Sequence, residues 1–240
     1  MKTEETAGAN FESHLGKNTY PGRGLVIGRP AEDVWVIIYW IMGRSTNSRN
    51  RRFVSEGGSL RTEPVDAKLV KDPSLIIYDA MLDLPGIYLV SNGDQTRTVF
   101  EALQKGGTLE EALSTREREP DAPNFTPRIT GMLSFRDSLG VASLAILKAS
   151  EVDPAYTDRY YYYPSVPRPG FGFALTTYRA DGDPLPAFRG DPLLLPCKGT
   201  GEKILESYWG ALNAENRVSM AVKEITRGGT VSRSLVRNRF

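Results

Sequence analysis

Histidine and cysteine are almost missing from this chain: His14 and Cys197 are the only examples among 240 residues. That scarcity excludes any Cys₄, Cys₂His₂ or His₃ zinc site built within one chain, and any intrachain disulfide. A histidine-centred triad could draw only on His14, which sits in a polar opening stretch. Cysteine usage this low reads as cytoplasmic. Long apolar runs are also lacking. The strongest, Val34 to Met42, is of strand length and carries Tyr39 and Trp40, far short of the roughly 18 residues that span a bilayer. The opening residues MKTEETAGANFESHLGKN have no hydrophobic segment of the secretory kind. Neither sign of charge prevails: 30 basic residues against 29 acidic ones give a net +1, so no global field draws nucleic acid or an anionic membrane. Attraction of an anion must be local. Chemistry in this chain therefore rests on Arg, Lys, Tyr, Ser, Thr, Asn and carboxylates.

What is present describes one globular domain, 40 % hydrophobic and 25 % charged. Residues 1–19 lack apolar periodicity and precede the turn Tyr20-Pro21-Gly22, which reads as a flexible leader before a domain spanning 20–226. Residues 227–240, with Arg227, Arg233, Arg237 and Arg239 and no acid after Glu224, read as a basic tail. Gly24 to Gly28 and Val34 to Met42 are rich in β-branched and aromatic residues and predict a hairpin. The second of these strands is apolar on both faces, so it is expected to be central. Further strands are expected at 74–80, 86–91, 128–135, 140–147, 170–178 and 217–225. Helices are expected at 95–106, at 108–115 behind the capping box Thr108-Leu-Glu-Glu111, and at 201–212. Strand-rich sheets with an inserted helix pair and a late helix indicate an α+β layered sandwich. Glu117 to Pro127 and Pro184 to Pro196 read as long loops, and long loops inside a domain often carry function.

Several segments are candidates for chemistry. Gly43-Arg-Ser-Thr-Asn-Ser-Arg-Asn-Arg-Arg52 packs four arginines and interleaved hydroxyls and amides directly behind an apolar strand. The arginine fork matches a phosphate bidentately, so the segment reads either as an anion site or as a solvated turn. Ser91-Asn-Gly-Asp94 offers an Asn-Gly turn with positive φ and an N-cap at Asp94. Tyr78 in SLIIYDA needs a partner for its phenol and reads first as a core tyrosine. The loop before Arg128 mixes Glu119 and Asp121 with arginines, commonly a surface pattern. Tyr160 to Tyr163 suggests either base stacking or, more simply, an edge strand.

The order Gly43-Arg-Ser-x-x-Ser-Arg-Asn-Arg51, Tyr78, Val90-Ser-Asn-Gly-Asp94, Thr126-Pro-Arg-Ile129, Thr177-Tyr178 resembles the archaeal-type inosine monophosphate (IMP) cyclohydrolase family over roughly residues 22 to 226. The resemblance rests on order and spacing. It implies a four-layer α-β-β-α sandwich similar to the N-terminal-nucleophile hydrolases. The implied reaction closes the ring of 5-formamidoimidazole-4-carboxamide ribotide to IMP, with loss of water and without metal or cofactor. It also implies a nucleotide as the small-molecule partner, with no membrane and no nucleic acid, and a homo-oligomer is expected. Carried across residue by residue, Arg49 orients substrate, Tyr78 donates to the formyl oxygen and Glu119 handles the amide proton, with Asp121 an alternative for that last role. Arg44, Asn47, Asn92 and Arg128 are the implied substrate contacts. The leader, the 184–196 segment and the basic tail exceed the compact family pattern. Two rival readings are a non-catalytic nucleotide- or RNA-binding module and an amide hydrolase on the same scaffold.

Overall fold

The computed structural model describes residues 2–70, 76–136 and 140–240. Two wholly antiparallel sheets form the body. The first has the strand order β11-β10-β1-β2-β12-β13, built from Gly24–Ala31 (β1), Val34–Met42 (β2), Gly170–Thr176 (β10), Leu193–Cys197 (β11), Arg217–Thr226 (β12) and Val231–Asn238 (β13). The second runs in sequence order from Arg52–Glu56 (β3), Ser59–Glu63 (β4), Asp79–Leu84 (β5) and Ile87–Ser91 (β6) to Arg128–Ser134 (β7), Val141–Ala149 (β8) and Thr157–Tyr162 (β9). The helices are Lys2–Asn10 (α1), continued by a π-helical turn Phe11–Gly16, then Thr46–Arg49 (α2), Gln95–Gln104 (α3), Leu109–Ser114 (α4) and Gly201–Ala211 (α5). Among the described residues no helix is long and apolar enough to cross a membrane.

Strand β2 explains the layering. Its period-two alternation sends Trp35, Ile37, Tyr39 and Ile41 into the core shared by the two sheets, and Val36, Ile38, Trp40 and Met42 into a second core under α5 and the 11–16 turn. A strand apolar on both faces must lie between neighbours, and β2 pairs with β1 on one side and β12 on the other. On the second sheet the same alternation sends Tyr88 and Val90 inward while Ile87 and Leu89 meet Val99, Leu103 and Leu113 of α3 and α4. The α+β expectation with two stacked antiparallel sheets follows from these three cores.

Two ties cross between the sheets. Lys223 on β12 donates to both carboxylate oxygens of Asp83 on β5, at 2.6 and 2.7 Å, and to Gly58 O. Asn238 on β13 exchanges two hydrogen bonds with the Phe53 backbone on β3, at 2.9 and 3.0 Å, joining the sheets at that edge.

Several expectations change. The leader is a packed helix, with Ala7 and Leu15 fully buried and the Phe11 ring edge-on to Tyr208 at 5.0 Å. Its apolar residues stand at positions 7, 11 and 15, a single stripe too sparse to register as amphipathic but sufficient to cover one face of a sheet. The basic tail is largely strand β13. Arg233 and Arg237 there pair with Glu202 and Glu206 of α5, so the arginines serve an edge instead of a free end. The strand expected at 74–80 begins at Asp79. Residues 74 and 75 lie outside the described residues, and at Ile76 to Tyr78 one backbone bond, Thr62 N to Tyr78 O, is joined by the Thr62 side chain, which donates to Ile76 O and accepts from Tyr78 N. Within the proline-rich 184–196 stretch, Leu193–Cys197 pairs as β11. Of the tyrosine run, Tyr160 to Tyr162 lie on edge strand β9, in line with its simpler reading.

His14 records how firmly the opening helix is seated. Thr176 Oγ1 donates to Tyr178 O, so the 2.8 Å contact from His14 is an Nε2–H donated to Thr176. Burial pushes the His14 pKa down from 6.5 to about 4. The unfolded chain thus takes up a proton at His14 that the native chain refuses, so stability is complete above pH 6.5 and falls as pH drops toward 4. His14→Gln, which keeps a side-chain N–H, is expected to flatten that decline in urea titrations across this window. Leu15→Ala is expected to cost about 2–5 kcal/mol by the same measurement, where a freely moving leader would show no loss.

Candidate functional site

The first sheet ends in a cleft. The chain enters β1 through Arg23, leaves β2 at Met42 and leaves β10 at Thr177-Tyr178. From the second sheet the loop before β7, residues 117–127, reaches over to the same end. Between them lies a cavity of about 380 Å³ whose wall includes Arg23, Arg44, Arg51, Glu119, Asp121 and Tyr178. That volume falls in the range of small-molecule sites.

At its floor Arg23 Nη2 meets Glu119 Oε2 at 2.9 Å, with side chains only 10 % and 7 % exposed, and Arg23 Nη1 donates to Asn92 O at 2.8 Å. Burial works against the Arg23 charge, but the Glu119 carboxylate, with Tyr78 and Tyr39 nearby, outweighs it and raises the guanidinium pKa further. Behind the pair the Tyr39 and Tyr78 hydroxyls are 2.7 Å apart, and burial pushes the Tyr39 phenol well up.

The arginine segment folds into a small knot. Ser45 caps α2 in a reciprocal box with Ser48. The knot lies directly on Gly43: a Cβ there would stand 2.6 Å from Ser48 C and 2.8 Å from Arg49 N, so only glycine fits. Past the helix the chain doubles back, and Arg51 turns inward to donate to Ser48 O at 2.9 Å and Met42 O at 3.3 Å. Arg51 is buried, lines the cleft and has no carboxylate partner among the described residues. Arg44 lies over the Tyr20 ring at 5.0 Å and pairs with Asp181 at 2.6 Å, half-exposed at the rim.

Opposite, the 119–126 loop is tied to itself. Glu119 N donates to Thr126 O, Thr126 N and Oγ1 donate to the Asp121 carboxylate, and Phe125 N donates to Asp121 O. Since the Thr126 hydroxyl spends its proton on Asp121, the Tyr178 hydroxyl 2.6 Å away is the donor to Thr126. Burial raises the Tyr178 pKa, in keeping with a phenol that donates. Tyr178 stacks on Tyr20, centroids 5.9 Å apart. Phe125 holds a left-handed backbone, φ 42°, with the Arg118 guanidinium 4.3 Å above its ring. Strain of this kind persists where the surroundings over-determine it, commonly at functional sites.

Of the site residues proposed from the sequence, Glu119, its alternative Asp121, Arg44 and Asn47 reach the cleft, and Asn47 Oδ1 is buried without a partner among the described residues. Arg49, Tyr78, Asn92 and Arg128 do not line it. Arg49 donates to Gly43 O and to Asn216 Oδ1 at 3.1 Å, on the far side of α2. Tyr78 stands behind the Arg23–Glu119 pair. Asn92 is consumed by the backbone, giving to Pro127 O and accepting from Ile129 N and Gln95. Arg128 bonds Glu117 O, Asp94 and Gln95; burial lowers its pKa, and Glu119 and Asp94 oppose that shift. Asp94 is not a side-chain N-cap, because Arg116 and Arg128 hold its carboxylate. The Asn92-Gly93 turn does not use positive φ. A Cβ at Gly93 would lie 2.7 Å from Arg128 Nη1 and 2.7 Å from Gln95 Oε1, so a side chain there would displace the ends of both.

Sequence reasoning missed Arg23 and Tyr20 and, within the arginine segment that it did single out, picked Arg44 and Arg49 and not Arg51. A lone charge between Gly22 and Gly24 at the mouth of an apolar strand is a signal for Arg23. Nothing in the run of arginines distinguishes the inward Arg51 from the outward Arg49.

The fold and cleft define an α+β protein of two antiparallel sheets with a polar, arginine- and carboxylate-lined pocket of small-molecule size at one end. More particularly, the chain belongs to the IMP cyclohydrolase-like family, whose model matches residues 20–229. It is similar to the IMP cyclohydrolase of Methanothrix thermoacetophila, 32 % identical over 138 residues that cover 56 % of this chain and 68 % of that protein.

The buried pair gives a prediction about folding. Glu119→Leu leaves the Arg23 charge uncompensated and is expected to cost about 3–5 kcal/mol, while adding Arg23→Met recovers part of the loss. Urea unfolding of the two single variants and the double variant measures the coupling; strictly additive losses would refute it.

Proposed function

We propose that this protein is an IMP cyclohydrolase that closes 5-formamidoimidazole-4-carboxamide ribotide to IMP in the cleft described above, in purine nucleotide synthesis and without a metal or cofactor. The observation that carries the reading is the Arg51 guanidinium, buried at a nucleotide-sized cleft and, among the described residues, paired only with carbonyls. A buried cation costs several kcal/mol unless an anion meets it, and the ribotide phosphate is such an anion. Arg51 thereby takes the part that the family resemblance assigns to Arg49, with Arg44 beside it at the rim.

In the reaction the carboxamide nitrogen bonds to the formyl carbon and the formyl carbon–oxygen bond breaks. The oxygen leaves as water, carrying one proton from the carboxamide nitrogen and one from the formamide nitrogen. Both reacting groups belong to one molecule, so holding a near-attack conformer supplies much of the acceleration. The stacked Tyr20 and Tyr178 offer an aromatic wall for the imidazole. Glu119, oriented by Arg23, has Oε1 outside that ion pair to accept the carboxamide proton. Arg23 presents positive charge where the formyl oxygen becomes negative. Tyr78 acts from behind as a positioning residue, linked to Arg23 and Tyr39. The two-sheet body with helices on both outer faces is in keeping with the four-layer arrangement similar to N-terminal-nucleophile hydrolases.

A nucleic-acid module would turn its arginines outward along a track, whereas Arg23 and Arg51 are buried. The test is to mix purified protein with the formylated ribotide and follow IMP by absorbance. Glu119→Gln is expected to lower kcat by about 10²- to 10⁴-fold, and Arg51→Met to raise KM about 10- to 100-fold with a smaller effect on kcat. A chelator is expected to change nothing. Wild-type protein giving no rate above the spontaneous one overturns the reading.

A further inference from the structure

A second cavity, of about 340 Å³, opens on the flank of the sandwich near β9. Its floor is the sheet-facing side of β8 and β9, where Ile146 lies opposite Tyr160 in register, and its roof is the segment Phe188 to Asp191. Phe188 N bonds Thr177 O, beside the catalytic cleft, so one connecting segment runs from the first cavity to the second.

Lys148 at the end of β8 reaches into this cavity. Its side chain is only 8 % exposed, yet its two hydrogen bonds are long: 3.3 Å to Glu151 Oε1 and 3.4 Å to Phe188 O. Charge-assisted N–H···O bonds ordinarily measure about 2.7–2.9 Å, and an ammonium carries three donors. Glu151 is half-exposed and more tightly engaged by Arg189, at 2.8 Å. The Tyr160 ring, 5.1 Å from Nζ, supplies a cation–π contact but no acceptor. By contrast another buried lysine, Lys223, is bonded to both oxygens of its carboxylate at 2.6 and 2.7 Å. Lys148 is thus buried with only a long ion pair, to a carboxylate oxygen that Arg189 holds more closely. Arg189 stands at the mouth as a second cation, and the other charges there, Glu151 and Asp191, are at the solvent-exposed rim.

We propose that this cavity is a second binding site, distinct from the catalytic cleft, for a small organic oxyanion whose phosphate or carboxylate group displaces Glu151 from Lys148 and is completed by Arg189. Tyr162, whose hydroxyl donates to Gly190 O, anchors the roof over the bound group. The site is independent of the activity proposed above, since none of its residues lines the catalytic cleft.

Calorimetric titration with inorganic phosphate, a purine nucleoside monophosphate and benzoate, each against wild-type protein and variants, tests it. At least one probe is expected to bind in a class of sites unaffected by Arg51→Met and weakened at least tenfold by Lys148→Met, with Lys148→Arg restoring it; which probe does so separates a phosphate from a carboxylate ligand. Glu151→Gln, at an exposed position, is expected to tighten the same probe several-fold by removing the competitor, a gain that a purely structural lysine does not predict. A single class of sites abolished by Arg51→Met and indifferent to Lys148 and Glu151 would overturn the proposal. Should Lys148→Met not fold, wild-type crystals soaked in tungstate decide the matter: anomalous density within hydrogen-bond distance of Lys148 Nζ supports the site, and its absence there refutes it.

Discussion

Arg23 and Glu119 come from different sheets, and their contact is what makes the end of the sandwich a site. Arg23 precedes the first strand of one sheet; Glu119 stands in the loop that leads into β7 of the other. Packed apolar faces alone hold two sheets together without deciding what happens at their rims. A buried guanidinium that also takes the Asn92 carbonyl fixes where the second sheet's loop lies over the first. Around that pair the other parts assemble. Asn92 holds the start of β7 through Ile129 N and Pro127 O, and Thr126 closes the loop on Asp121 while receiving the Tyr178 hydroxyl.

Residues that a motif comparison treats as one set thus divide by physical task. Asn92, Arg128 and Gly93 are buried in backbone and side-chain bonds that shape the strand ends, and their chemistry is spent on structure. Arg51, Glu119 and Tyr178 keep surface toward the cavity. Tyr78 lies between these groups: it contributes electrostatically to Arg23 while its hydroxyl is shared with Tyr39. Membership of the IMP cyclohydrolase-like family accounts for such a motif order without requiring each motif residue to touch a ligand.

The polar ends of the chain carry more of the architecture than their composition suggests. The opening helix covers the outer face of the first sheet through residues four apart, and the arginines of β13 are neutralised by α5. Both depend on partners distant in sequence, Tyr208 for Phe11 and Glu206 for Arg237. Local polarity is therefore a poor guide at either end.

Alternation and capping are local, which is why the sequence by itself determined the α+β class, the double-sided strand 34–42 and its central place, the helix pair near 95–115 and the neighbourhoods of the site. Each follows from a pattern within about ten residues that any packing would have to respect. Which side chain of the arginine run faces inward, that Arg23 finds Glu119, and that residues 2–16 and 231–238 join the body were decided only in the tertiary structure. The last two are set by groups about 30 to 200 positions apart that meet when two sheets stack, while Arg51, whose carbonyl partners Met42 and Ser48 are close in sequence, faces inward because the fold places a cleft there.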